Sequence, residues 1–157
     1  MSISTSHAIN MVIEEVINDD AKTRISKQPS LSTRNGSSSP AVTKQAGGAR
    51  QLTAGADTID LTSFNNISSG SVDFTGLKVQ MIYIEITTAT NEVTFAEGAS
   101  NGFPAFAASN GKIGLGQGDQ VFFVLDETTP DVSASVKTID VASSDLDAEY
   151  EIYMVAG

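Results

Sequence analysis

The chain has no cysteine, no tryptophan and a single histidine in 157 residues. Disulfides and thiolate metal sites are therefore excluded, and a histidine-based zinc cluster cannot form. A Ser-His-Asp arrangement would have to use His7, far in sequence from the rest of the chemistry-bearing residues. No arginine follows Arg50. No apolar run approaches the roughly 18–20 residues needed to cross a bilayer, so no membrane partner is expected. The start, M-S-I-S-T-S-H-A-I-N, lacks the basic residues and long apolar stretch of a signal peptide. The net charge of −10 argues against a molecule that binds nucleic acid over its whole surface.

That charge is divided unevenly. Residues 1–56 carry six Lys/Arg against four Asp/Glu, whereas residues 57–157 carry three lysines against fifteen acids. The window 21–50 holds Lys22, Arg24, Lys27, Arg34, Lys44 and Arg50 and no acid. It also holds R-N-G-S-S-S-P and Q-A-G-G-A-R, which are turn and linker chemistry. Its few large aliphatic residues cannot bury enough surface to offset the entropy of ordering. Residues 18–56 thus read as a basic extended arm, and the chain divides into an N-terminal extension over 1–56 and a β-sandwich domain over 57–157.

Ahead of the arm, residues 8–17 read A-I-N-M-V-I-E-E-V-I. Ile9, Val12, Ile13, Val16 and Ile17 follow the spacing of an amphipathic helix, but their β-branching favours a strand. The two alternatives stay open. Either way an apolar face needs a partner, because so short an isolated element is marginal in water.

From Asp57 onward the apolar period is two. Over 145–154, Leu146, Ala148, Tyr150, Ile152 and Met154 alternate with Asp147, Glu149, Glu151 and Tyr153, which predicts a half-buried strand. Over 77–87 the inward set begins as Leu77, Val79 and Met81 and shifts to Ile82, Ile84 and Ile86, predicting a bulge or a central strand covered on both faces. Residues 120–125 predict a short buried strand, and 57–62, 92–96 and 136–142 are further candidates. Gly, Asn, Ser and Pro clusters separate these runs. Seven or eight short strands predict an all-β protein: one β-sandwich or jelly-roll-like domain with an extended N-terminal arm.

The stretch G-K-I-G-L-G-Q-G-D-Q-V-F-F at 111–123 tests for phosphate chemistry. A dinucleotide loop needs G-x-G-x-x-G followed by a helix; here Asp119 stands where the third glycine belongs, and a strand-like run follows. The glycines predict an inter-strand turn. The paired acids Asp126-Glu127 with Asp131, Asp145 with Asp147, and Asp57 with Asp60 raise glycosidase chemistry, but aromatics to hold a sugar are few. L-D-E-T-T-P-D could offer calcium oxygens from Asp126, Glu127 and Asp131, without EF-hand spacing. No catalytic signature emerges, and the expectation is a protein without enzymatic activity or cofactor. The basic arm would dock on an acidic surface, act as a plain linker, or touch nucleic acid; its lack of interleaved aromatics disfavours the last.

The segments L-T-A-G-A-D-T-I-D-L-T-S-F (52–64), F-T-G-L-K-V-Q (74–80), N-E-V-T-F-A-E-G-A-S-N-G-F (91–103), I-G-L-G-Q-G-D (113–119) and T-P-D-V-S-A-S-V-K-T-I-D-V (129–141) together resemble a group of small, mostly uncharacterised proteins. That group is encoded among the structural genes of tailed bacteriophages and prophages. The resemblance implies a virion component without enzymatic activity: a capsid decoration or cement protein, or a minor tail or head-tail connector component. It carries over no functional residue. The expected partners are the major capsid protein and copies of this chain, giving a homo-oligomer. The expected assembly contacts, read from the residues, are Ile9, Val12, Ile13, Val16 and Ile17 as an apolar anchor, with Arg24, Lys27, Arg34 and Arg50 meeting acidic surface. The competing expectation is a carbohydrate- or cell-surface-binding module with exposed aromatics near Phe103, Phe106 or Tyr153.

Overall fold

A computed structural model describes residues 11–18, 21–27, 42–65, 70–106, 111–125 and 127–157, the first two stretches as strand pairing alone. Twelve strands and no helix occur among them: β1 (Met11–Asn18), β2 (Ala21–Lys27), β3 (Lys44–Gln51), β4 (Ala56–Asp60), β5 (Phe64–Asn65), β6 (Ser71–Val72), β7 (Val79–Thr88), β8 (Val93–Glu97), β9 (Lys112–Leu115), β10 (Gln120–Val124), β11 (Thr138–Ser143) and β12 (Glu149–Ala156). The protein is all-β, and every strand pair is antiparallel. Two four-stranded sheets, β10-β7-β12-β3 and β4-β11-β8-β9, form a sandwich, with β1-β2 and β5-β6 as separate hairpins.

The pairing is nested. Leaving the two hairpins aside, the first strand pairs with the last (β3 with β12), the second with the seventh (β4 with β11), the third with the sixth (β7 with β10) and the fourth with the fifth (β8 with β9). The chain is thus one long antiparallel ribbon rolled so that its two ends and its middle share a core.

Alternation builds that core. Ile82, Ile84 and Ile86 of β7 and Tyr150, Ile152 and Met154 of β12 face Ile59 of β4, Val93 and Phe95 of β8, and Ile139 and Val141 of β11, all essentially excluded from solvent. Aromatic rings bridge the layers. Phe123 of β10 meets Phe106 edge-on at 5.5 Å between centroids, Phe106 meets Phe95 at 6.4 Å, and Phe95 meets Tyr150 at 5.2 Å. Edge-to-face pairs of this kind stabilise beyond the area they bury.

Several expectations change. Residues 8–17 carried two alternatives; β1 covers 11–18 and pairs with β2, so β-branching outweighs the helical spacing there. Residues 44–51, expected in the arm, are β3, paired with β12 from Lys44↔Ala156 to Gln51↔Glu149. The paired sandwich therefore starts at Lys44 rather than at Asp57. The shifted apolar phase in β7 is a bulge, since Val155 pairs with Met81 and Ala156 with Val79. Val79 stays in the core while Met81 turns to the opposite face of the sheet. Residues 120–124 are an edge strand with Val124 43 % exposed, not a buried one, and Leu146 precedes β12 and is 64 % exposed.

The glycine stretch is a turn that carries the chain from β9 in one sheet to β10 in the other. Asp119 earns its place there: its carboxylate accepts the Gly116 N–H at 2.8 Å, and its own N–H donates to the Gly116 carbonyl at 3.0 Å. Gly118 has φ +82°, and a Cβ there would meet nothing within 4 Å. Gly118→Ala should therefore cost only backbone strain, about 1 kcal/mol. A thermal melt checks this, and a loss several times larger would mean the turn carries more than its own geometry.

Candidate docking face

The outward side of the β10-β7-β12-β3 sheet is organised in rows that the register defines. One row runs Val124, Met81, Val155, Gln45. The next runs Phe122, Tyr83, Tyr153, Gly47, and the third Gln120, Glu85, Glu151, Ala49. An apolar row, an aromatic row and an acidic row thus lie side by side on one sheet face. Val42, just before β3, folds onto the apolar row and packs with Met81 and Val155, with Phe122 against them.

The aromatic row organises the acidic one. Tyr83 and Tyr153 lie with ring centroids 6.2 Å apart. The Tyr83 hydroxyl donates to Glu85 Oε2 at 2.5 Å and the Tyr153 hydroxyl to Glu151 Oε2 at 3.1 Å. Each donor partly offsets the repulsion of two glutamates placed directly opposite one another, an arrangement that costs a sheet stability. Burial and the hydrogen bond to Glu85 push the Tyr83 phenol up to about 12, and burial and Glu151 raise that of Tyr153. Burial, then Asp57, raises that of Tyr150. At pH 10, where a free tyrosine is about half ionised, native protein should show far less phenolate absorbance than urea-unfolded protein. Equal absorbance in the two states would contradict this geometry.

Beside Tyr153 the face continues into an open groove of about 570 Å³ over Gly47, Gly48 and Ala49, with Phe64 on its far side. It exists because β3 carries almost no side-chain bulk at its centre.

At the edge where β3 passes to β4, a polar clasp joins the two sheets. Arg50 Nε and Nη2 donate to Asp57 Oδ2 and Oδ1 at 2.7 and 2.9 Å, and the Tyr150 hydroxyl donates to Asp57 Oδ2 at 2.6 Å. Burial pushes the Asp57 carboxyl upward, but the hydrogen bonds from Arg50 and Tyr150, the arginine charge and the Thr58 N–H together outweigh it, and the net shift is downward.

The expected assembly residues are distributed as follows. Val12, Ile13, Val16 and Ile17 lie in β1, and Arg24 and Lys27 in β2, where the register sets Glu14 opposite Arg24 and Met11 opposite Lys27. Ile9 and Arg34 lie outside the described residues. Arg50 is engaged inside its own chain, its side chain 19 % exposed, so its charge is met by Asp57 and not by a neighbour. Of the aromatics proposed as exposed, Phe103 is fully buried and Phe106 packs on the core, whereas Tyr153 does reach the surface. Asp126 lies outside the described residues, and Asp131 pairs with Lys78 at 3.0 Å. No cluster of three metal-ligating side chains occurs among the described residues.

The sequence missed the face because its rows exist only in the register; the one visible signal was Tyr153 on the polar side of the last strand. No family model, curated protein or solved structure matches the chain.

Proposed function

We propose that this chain is a non-enzymatic virion structural protein, a capsid decoration or cement component that joins a multi-copy shell through its N-terminal segment. The observation that carries the reading is the β1-β2 hairpin, whose strands, among the described residues, pair only with each other and stand outside both four-stranded sheets. A two-stranded hairpin alone is marginal in water, so its apolar residues need another surface. The nested strand order also supports the reading. It is the winding of a jelly roll, an architecture that recurs in viral capsid and lectin domains, and this is an argument from fold analogy alone.

The test is quantitative mass spectrometry of purified particles from cells producing either the full chain or one lacking residues 1–41. The full chain is expected at a fixed copy number per particle and the shortened chain at background. The cut falls at 41 because a cut at 50 would remove most of β3 and the Arg50–Asp57 clasp. A full chain absent from particles overturns the proposal.

One observation favours a second reading. Phe122, Tyr83 and Tyr153 in a row beside Glu85 and Glu151 form a platform on which a sugar ring could stack while carboxylates accept its hydroxyls. A glycan array probed with the full chain decides it: a hit abolished by Tyr153→Ala supports a carbohydrate-binding module, and a blank array removes it.

A further inference from the structure

We propose that the free edge of β3 is a strand-acceptor slot, which captures an extended basic segment of another protein by adding it to the β10-β7-β12-β3 sheet. β3 is the outermost strand of that sheet. The Leu52 N–H donates to the Ala148 carbonyl at 2.9 Å, just past the Gln51↔Glu149 pair that ends the β3-β12 register. Bonded and non-bonded pairs alternate along an antiparallel ladder, so Arg50 and Gly48 direct their backbone groups to β12. The other side of the sheet agrees. The Ile86 N–H donates to the Asp119 carbonyl at 3.1 Å and the Leu125 N–H to the Gln80 carbonyl at 2.9 Å, which turns the even residues of β7 toward β10 and its odd ones toward β12. Tyr150 and Ile152 of β12 then face β3, opposite Arg50 and Gly48. Gly47 and Ala49 point their N–H and C=O groups away from the sheet, and among the described residues no strand, loop or turn supplies either with a backbone partner on that side.

Room for a guest lies beside those groups. The groove of about 570 Å³ runs past residues 47–50 and is bounded across from them by Phe64, Asn65 and Gly70 of the β5-β6 hairpin. Four consecutive residues line it, so it follows the edge of the strand for roughly 13 Å. The β4 edge of the other sheet is closed instead. Ala56 exchanges two backbone hydrogen bonds with Thr53, at 3.0 and 3.2 Å, and the Asp60 carbonyl accepts from the Ser63 N–H at 3.1 Å. Blocking an edge in this way guards against stray pairing, and β3 lacks that guard.

A polypeptide is the occupant because Gly47 and Ala49 each present one donor and one acceptor at a two-residue repeat, which an extended backbone matches along its length. A guest running antiparallel, like every other pair in the fold, exchanges hydrogen bonds with both residues. Its basic character follows from the acid beside the slot. The Arg50 charge is met by Asp57 at 2.7 Å, whereas Glu151 has the Tyr153 hydroxyl and no ion pair with a base among the described residues. Gly47 and Ala49 stand opposite Tyr153 and Glu151 and carry no more than a methyl group. A guest lysine or arginine on that face therefore reaches over them to the Glu151 carboxylate and the Tyr153 ring.

The experiment is backbone-amide hydrogen exchange on the full chain, followed by NMR before and after a peptide is offered. In the free chain Gly47 and Ala49 are expected to exchange faster than Gly48 and Arg50. The probe is a library of linear heptapeptides with lysine or arginine at alternate positions and any residue but proline between them. A retained peptide is expected to slow exchange at Gly47 and Ala49. Ala49→Pro removes one N–H that faces the groove and no bond to β12, so it should weaken capture about tenfold while a thermal melt shows the fold kept. Should that variant prove unfolded, Glu151→Gln keeps an acceptor for Tyr153 and is expected to weaken capture about threefold and flatten its dependence on salt.

Slow exchange at Gly47 and Ala49 in the free chain overturns the slot, because the edge is then already filled. A library that yields no retained peptide overturns it too, as does capture indifferent to both variants or a glycan that slows those amides in a peptide's place. Neither the edge nor the groove depends on the virion reading. A peptide captured by a chain that never reaches particles leaves the slot standing and removes the virion proposal, and a chain that joins particles but captures nothing does the reverse.

Discussion

Asp57→Ala is expected to lower the stability of the sandwich by about 3 kcal/mol, near the lower end of what breaking a largely buried ion pair costs. One carboxylate serves three donors: both Arg50 nitrogens and the hydroxyl of the fully buried Tyr150. Removing it strands a guanidinium whose side chain is 19 % exposed and a phenol with no route to water. An orphaned buried group forfeits its desolvation cost in full, whereas an exposed pair is worth little. For a sandwich of this size the loss should appear as a fall of roughly 10 °C in Tm. A change of a degree or two would show that the clasp is ornamental.

The same group sets part of the acid response. The folded-state value of Asp57 lies below its ordinary one, so its contribution is present above the unfolded carboxylate value, near 3.9. It is lost as pH falls through the lower folded value. Asp57→Asn should therefore differ most from the unmodified protein at neutral pH, with the gap narrowing below about pH 4. Urea melts at pH 7 and pH 3 measure it, and a gap that widens with acid would reverse the sign of the argument.

Gly47→Ala is the second large effect, expected at about 3 kcal/mol from backbone strain together with displacement of a paired strand. Gly47 has φ +147°, and a Cβ there would fall 2.6 Å from the Tyr153 Cα and closer still to the Ile152 carbonyl oxygen. Both are backbone atoms of the strand that β3 must pair with, so no rotamer relieves the clash. The Tyr153 ring lies over the same position, its Cδ1 at 2.9 Å from that Cβ. The substitution should therefore also alter the near-ultraviolet circular dichroism of the tyrosines at temperatures below unfolding. Gly118→Ala is the control, with a positive φ but open space. If the two variants melt alike, the cost at Gly47 comes from conformation alone and not from the strand packed against it.

Gly47 also explains why β3 is hard to read. K-Q-A-G-G-A-R-Q has no β-branched residue and two adjacent glycines, which in isolation spell a linker. Its extended form comes from the ladder with β12, and its glycines suit a neighbour whose tyrosine leans over it. Leu146 fails in the opposite direction: its place in the alternation is right, but β12 starts three residues later and leaves it at the surface. The turn at 116–119 was legible because its chemistry is local, an aspartate closing on a glycine N–H three residues back. The docking face was not, because Phe122, Tyr83, Tyr153 and Gly47 are scattered over 107 positions and meet only through register.

By itself the sequence determined that the protein is all-β, that Tyr150, Ile152 and Met154 point inward from the last strand, and that the acids concentrate in the sandwich while the bases crowd its front. These follow from period-two alternation and charge counting, which are properties of neighbours in the chain. Only the tertiary structure decided which strands are edges, that the first sandwich strand closes on the last, that Arg50 belongs to Asp57, and that three rows of unlike chemistry share one face. The strand order and the rows depend on residues far apart in the chain that the ladder of backbone hydrogen bonds sets side by side, while Arg50 and Asp57, only seven residues apart, meet because the chain crosses from one sheet to the other between β3 and β4.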